Sequence, residues 1–246
     1  MRHLLRRALG QMTRGEFFTN LPDGSRVIER NVHPNIYFHL RTIYERIQAE
    51  GQNQNIEGLQ FHGDHVKTEG AFQRAMPLEQ WNQVKRRFPD LFSQDGNGSV
   101  IPDICLHRPD NITRNSLAIE IKCGNPSNYS VYHDFRKLRL YTDPQALNFH
   151  TGIFLYLNCS ETSPITSLTR WGQDQERSAS GASSAGKRNA LRPRIATPSP
   201  VAGRCFYIWQ VSDIQFLENG KFNIGCINET IVFNNTFGDN IFIEDY

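Results

Sequence analysis

Paired cysteines are missing from this sequence. Its five cysteines, Cys105, Cys123, Cys159, Cys205 and Cys226, are odd in number and far apart, with no CxxC. That pattern excludes a disulfide framework and a zinc ribbon and points to a reducing, cytoplasmic setting. Long apolar runs are missing too, so no bilayer-crossing segment is expected, and the opening MRHLLRRALGQMTRG lacks the continuous apolar centre of a secretory signal. Charge imbalance is small. At a formal net charge of +2, no polyanionic partner follows from the total, and any nucleic-acid argument must rest on local clustering. No internal repeat is visible.

What is present is 246 residues, enough for one large domain with a substantial core. The first fifteen residues carry four arginines and no acid, with Leu4, Leu5, Ala8, Leu9 and Met12 at helical spacing. This is the pattern of a basic amphipathic helix docked on the domain, and also of an organelle-targeting presequence. HPNIYFHLRTIYERIQAEG (33–51) places Ile36, Leu40, Ile43, Tyr44 and Ile47 on one helical face, with Pro34 near the start and Gly51 past the end. IEGLQFHGDHVK predicts a strand, and PLEQWNQVKRRFPDLF a helix with Leu78, Trp81, Val84 and Phe88 on one face.

Two strands follow in SVIPDICLHRPDNITRNSLAIEIKCG (99–124), then a helix burying Val131, Phe135, Leu138 and Tyr141, then the continuous apolar strand TGIFLYLNC (151–159). From 160 to 203 the chain is rich in Ser, Gly, Ala, Pro and Arg, and is expected to be a disordered insert, since strand character resumes directly in RCFYIWQVSDIQFL. The tail reads as short strands with turns at Asn219-Gly220 and Gly238-Asp239. The expected architecture is a single α/β domain over 1–246, with a mixed central sheet flanked by helices and a β-rich C-terminal part.

The chemistry concentrates in the two strands of 99–124. In LAIEIK the two-residue period turns Glu120 and Lys122 to one face and Leu117, Ile119 and Ile121 to the other. In VIPDICL the same period sets Asp103 opposite Val100, Ile104 and Leu106. If the strands pair, Asp103 and Glu120 converge, at an electrostatic cost that a hard divalent cation between them removes. Magnesium suits such a ligand set, with manganese as its substitute. A lysine beside that ion can orient an attacking water and stabilise charge developing on a phosphoryl oxygen.

Pro102-Asp103 followed seventeen residues later by Glu120-Ile121-Lys122 resembles the PD-(D/E)XK signature of restriction-endonuclease-like nucleases. Pro-Asp also occurs at 22, 89 and 109, but only Pro102-Asp103 lies in an apolar run, and Glu120-Ile121-Lys122 is the only acid-x-Lys triplet in the chain. The resemblance implies a core of helix, three strands, helix and strand, here with an extra helix after the first strand. It further implies Asp103 and Glu120 as metal ligands, Ile121 lending its backbone carbonyl, and Lys122 as the catalytic lysine. Members often add an acid from the first helix, for which Glu45 is the candidate. The activity expected on this basis is magnesium-dependent hydrolysis of DNA phosphodiesters, with a homodimer open as the assembly.

Backbone contacts would come from the basic N-terminal segment, from Lys85, Arg86 and Arg87, and from Arg136, Lys137 and Arg139, with His133 on the same helix face as Arg136 and Lys137. Three other features carry less. His62, Asp64 and His65 in FHGDH lack further ligands at a diagnostic spacing, QDGNGSV lacks the lysine and helix of a P-loop, and Trp81 and Trp209 read as core. The rival from another class is a catalytically inactive domain of the same fold that binds nucleic acid or a protein partner. Alternatively, Asp103, Glu120 and Lys122 are solvated charges on the outer face of a hairpin.

Overall fold

The computed structural model describes residues 2–21, 24–27, 29–51, 59–63, 76–92, 100–108, 115–124, 126–157, 205–216, 222–234 and 241–245. Helix α1 (Arg2–Leu9) buries Leu4, Leu5, Ala8 and Leu9 and exposes its three arginines. Its basic side is also tied down: the Arg2 guanidinium lies 4.3 Å from the centroid of the Tyr207 ring and that of Arg6 5.5 Å from Trp209. The basic amphipathic segment is therefore a docked helix. A short helix α2 (Arg14–Phe17) and the hairpin β1 (Phe18–Leu21) and β2 (Gly24–Val27) lead into helix α3 (Glu29–Ala49).

Helix α3 begins earlier than its proline predicts. Pro34 lies in the second turn, where it removes the hydrogen bond that a residue with an N–H would make to the Arg30 carbonyl, yet the helix continues back to Glu29. Val32 and Ile36 are fully buried on either side of it, so packing of this face offsets the lost bond.

The main sheet has strands in chain order: β3 (Gln60–Gly63), β4 (Ile104–His107), β5 (Leu117–Cys123), β6 (Thr151–Leu157), β7 (Cys205–Phe216), β8 (Phe222–Asn234) and β9 (Ile241–Asp245). Helix α4 (Leu78–Arg87) connects β3 to β4, and helix α5 (Asn128–Thr142) connects β5 to β6. The first three strands are antiparallel, β5, β6 and β7 are parallel, and β7, β8 and β9 are antiparallel again. Parallel pairing of β5 with β6 follows from the helical crossover between them. The mixed sheet flanked by helices is as expected, and the β-rich tail continues that sheet. The segment expected to be a disordered insert lies outside the described residues.

Two apolar clusters cover the two faces of the sheet. On one face α1 and α3 pack on Ile104, Leu106, Leu117, Ile119 and Ile121; on the other α4 and α5 pack on Cys105, Ala118, Phe154 and Tyr156. Val100 belongs to the second cluster, contrary to the alternation read from sequence, because strand β4 begins only at Ile104. The four apolar residues expected on α5 are all buried, and Trp81 and Trp209 are core. Leu78 differs: it stands at the first residue of α4 and is 67 % exposed.

Because α1 closes one face of the core, Leu5→Ala is expected to destabilise the protein by about 2–5 kcal/mol in urea unfolding, through lost burial and the cavity left behind. A loss below about 1 kcal/mol would show that the helix is a detachable appendage.

Candidate functional site

Alternation along β5 sends Ile119 and Ile121 toward α3 and Glu120 toward α5. Register does the rest. Ile104 faces Ile119 in the last β4–β5 pair, so one step further brings Asp103 opposite Glu120, just where β4 ends. There the Asp103 side chain takes over from the backbone, and the Ile121 N–H donates to Asp103 Oδ2 at 2.7 Å. The Asp103 carbonyl accepts from His33 Nε2–H of α3 at 2.5 Å, which ties the start of β4 to that helix. Asp103 Oδ1 has no hydrogen bond among the described residues.

Glu120 is fully buried, and both its oxygens are engaged by α5: Lys137 Nζ donates to Oε2 at 2.7 Å and Tyr141 O–H to Oε1 at 2.9 Å. Lys137 Nζ also reaches Asp134 Oδ1 at 3.3 Å, one helical turn back. The other oxygen of Asp134 lies 3.0 Å from Lys122 Nζ, and Lys122 in turn is 3.2 Å from Glu29 Oε1 at the start of α3. Lys122 Nζ also donates to the Ile121 carbonyl at 3.3 Å. Charges thus alternate in one chain, Glu120, Lys137, Asp134, Lys122, Glu29, running from α5 across β5 to α3. Asp103 stands beside it.

Four carboxylates, Glu29, Asp103, Glu120 and Asp134, meet two ammonium groups, Lys122 and Lys137, with the His33 and His133 imidazoles beside Asp103 and Asp134. Burial raises the pKa of Glu120 well above its ordinary value; Lys137 opposes the rise, and Asp103 and Asp134 add to it. Burial also raises Asp103, against the pull of Lys137, the Ile121 N–H and Lys122. Glu29 rises for the same reason, with Lys122 opposing. Asp134 goes the other way. Its burial is outweighed by His133, whose Nδ1 lies 3.9 Å from Asp134 Oδ1, and by the two lysines, which hold its carboxyl below the ordinary value. Burial works against the charge of both lysines, but their carboxylate neighbours outweigh it and raise them, so both ammonium groups stay charged. The Cys123 thiol is pushed up to about 12 by burial, with Glu29 adding, which makes it a poor nucleophile.

By register Asp103 therefore stands opposite Glu120, the fourth of the seven residues of β5, and Lys122 follows two residues later near the C-terminal end of that strand. Glu45 is not with them. It pairs with Arg41 at 2.6 Å on an exposed face of α3, sixteen residues and so about 24 Å along the helix from Glu29. The carboxylate that the first helix delivers is Glu29. Lys137 also departs from expectation: its ammonium lies among the carboxylates and cannot be a phosphate contact on the helix surface. Other basic side chains lie over aromatic rings or pair with acids, Lys85 over Trp81, Arg136 over Phe88 and Arg87 with Asp143, while Arg86 is exposed.

Among the described residues no three His, Cys, Asp or Glu side chains stand in an arrangement that could hold a metal ion. The donor set read from sequence is of another kind, two carboxylates and the Ile121 carbonyl, the hard oxygen donors that a divalent cation takes; Asp103 Oδ1 is open among the described residues, while Lys137 and Tyr141 engage Glu120 and Lys122 engages the Ile121 carbonyl. In the FHGDH segment, Asp64 and His65 lie outside the described residues. No helix among the described residues is long and apolar enough to cross a membrane. Comparison of the chain with protein-family models, curated proteins and solved structures finds no match.

The raised pKa of Glu120 has a testable sign. The folded protein holds this proton to higher pH than the unfolded chain, so its contribution to stability is full below 4.5 and is lost as pH rises toward the folded value. Glu120→Gln removes that loss. With chelator present, the unfolding free energy of the wild type relative to Glu120→Gln should decline as pH rises above 4.5. A difference that is flat with pH, or that grows, would contradict the arrangement.

Proposed function

We propose that this protein is a metal-dependent nuclease of the PD-(D/E)XK kind that hydrolyses phosphodiester bonds in DNA. The observation that carries the reading is the meeting of Asp103 and Glu120 across two paired strands, with Lys122 two residues on in the same cluster of carboxylates and ammonium groups. The chain order supports it. From α3 to β6 the elements run helix, strand, helix, strand, strand, helix, strand, which resembles the core of that superfamily with one helix added after the first strand.

Asp103, Glu120 and the Ile121 carbonyl would hold a magnesium ion, which when bound supplies the Lewis-acid charge that phosphodiester hydrolysis needs. Lys122 orients the attacking water and meets the negative charge developing on the phosphoryl oxygens. Its own position is fixed from two sides, by Glu29 of α3 and Asp134 of α5. The Ile121 N–H orients the Asp103 carboxylate, and the Tyr141 hydroxyl orients Glu120.

One observation favours a second reading, an inactive domain of the same fold. Glu120 is fully buried and both its oxygens already have partners, so the ion-pair chain is complete without a further ion on that residue.

Cleavage assays on linear, supercoiled, branched and single-stranded DNA separate the two. The nuclease reading predicts cleavage that needs magnesium or manganese and falls on the order of 10²–10⁴-fold in Asp103→Asn, Glu120→Gln and Lys122→Met. Absence of cleavage of every substrate by the folded wild type, or undiminished cleavage by any of the three variants, would overturn it.

A further inference from the structure

Lys137 occupies Glu120 in a way that bears on how the site is loaded. Its ammonium is 2.7 Å from Glu120 Oε2 and 3.3 Å from Asp134 Oδ1, so one cation sits between two carboxylates, one on the strand and one on its own helix. A divalent ion at Asp103 and Glu120 would compete with that ammonium for the same carboxylate, and the two cations would repel each other at short range in a buried setting. Lys137 nevertheless has somewhere to go. Asp134 lies one turn back on α5 with its Oδ1 already 3.3 Å from the ammonium, and its buried Oδ2 makes no hydrogen bond among the described residues, with Lys122 Nζ 3.0 Å away as an ion-pair neighbour. The Tyr141 hydroxyl stays on Glu120 Oε1 and keeps that side chain in place during the exchange.

We propose that Lys137 is a displaceable internal cation: it closes Glu120 while the site is empty, and moves onto Asp134 when a divalent ion binds. The proposal rests on the nuclease reading for the place of the ion. It goes beyond that reading by giving Lys137 and Asp134 the roles of latch and resting place, so that metal affinity is set by a residue that is not a metal ligand. A static ammonium beside Glu120 would also repel the ion, so the displacement itself is read from the Lys137–Glu120 contact in the loaded protein.

The test is calorimetric titration of manganese alone, without nucleic acid, into the wild type, Lys137→Met and Lys137→Gln, each checked for folding by circular dichroism. The glutamine variant keeps a hydrogen-bond donor for Glu120 while removing the charge. Binding at least tenfold tighter in the folded variants than in the wild type supports the latch. Equal or weaker binding overturns it and leaves the metal site standing. Absence of manganese binding in all three overturns the latch and the metal reading together.

Whether or not the variants fold, the displacement is read in the wild type through nuclear magnetic resonance couplings across its lysine–carboxylate hydrogen bonds. Added magnesium should abolish the coupling of Lys137 Nζ to Glu120 and keep that to Asp134. Retention of the Glu120 coupling at saturating magnesium would overturn the proposal.

Discussion

The structure turns on the burial of a carboxylate, Glu120, in the layer between the sheet and α5. An ionised carboxylate without partners would not be tolerated there, because its desolvation costs several kcal/mol or more. Everything around it answers that cost. Lys137 and Tyr141 come from consecutive turns of α5, Asp134 holds Lys137 from below, Lys122 holds Asp134 from the strand, and Glu29 closes the chain from the opposite layer. The two helical layers, each packed on its own apolar cluster, are thereby joined by charge across β5. Such a network is weak evidence for stability and better evidence for a site, since apolar residues would fill the same volume at lower cost.

Much of this was legible in the sequence, for reasons that can be named. The two-residue period of LAIEIK fixes which side chains share a face of β5, whatever the strand's neighbours are. The apolar run IFLYL (153–157) marks a strand covered on both faces, as β6 is along all seven of its residues. The helical spacing of Val131, Phe135, Leu138 and Tyr141 identifies the buried side of α5.

What escaped did so because a local signal was misleading or silent. Pro34 reads as a helix start, which leaves out the turn that carries Glu29 and points instead to Glu45, whose side chain is exposed further along the helix and paired with Arg41. Lys137 escaped because a charged residue on a helix is normally on its solvated side. The spacing Asp134, Lys137, Tyr141 sets all three on the side of α5 that already holds Phe135 and Leu138, and that was the available clue. Tyr141 was rightly placed in the core, but its hydroxyl partner lies 21 residues away and only the register of β5 against α5 supplies it.

The proposed nuclease site puts one divalent cation at Asp103, Glu120 and the Ile121 carbonyl, where the first two strands of the motif pair. Anomalous diffraction from crystals of the wild type soaked in manganese tests it most directly. The account predicts a single strong anomalous peak bounded by Asp103, Glu120 and the Ile121 carbonyl. Crystals saturated with manganese that show no peak there, or show one only elsewhere on the molecule, would contradict it.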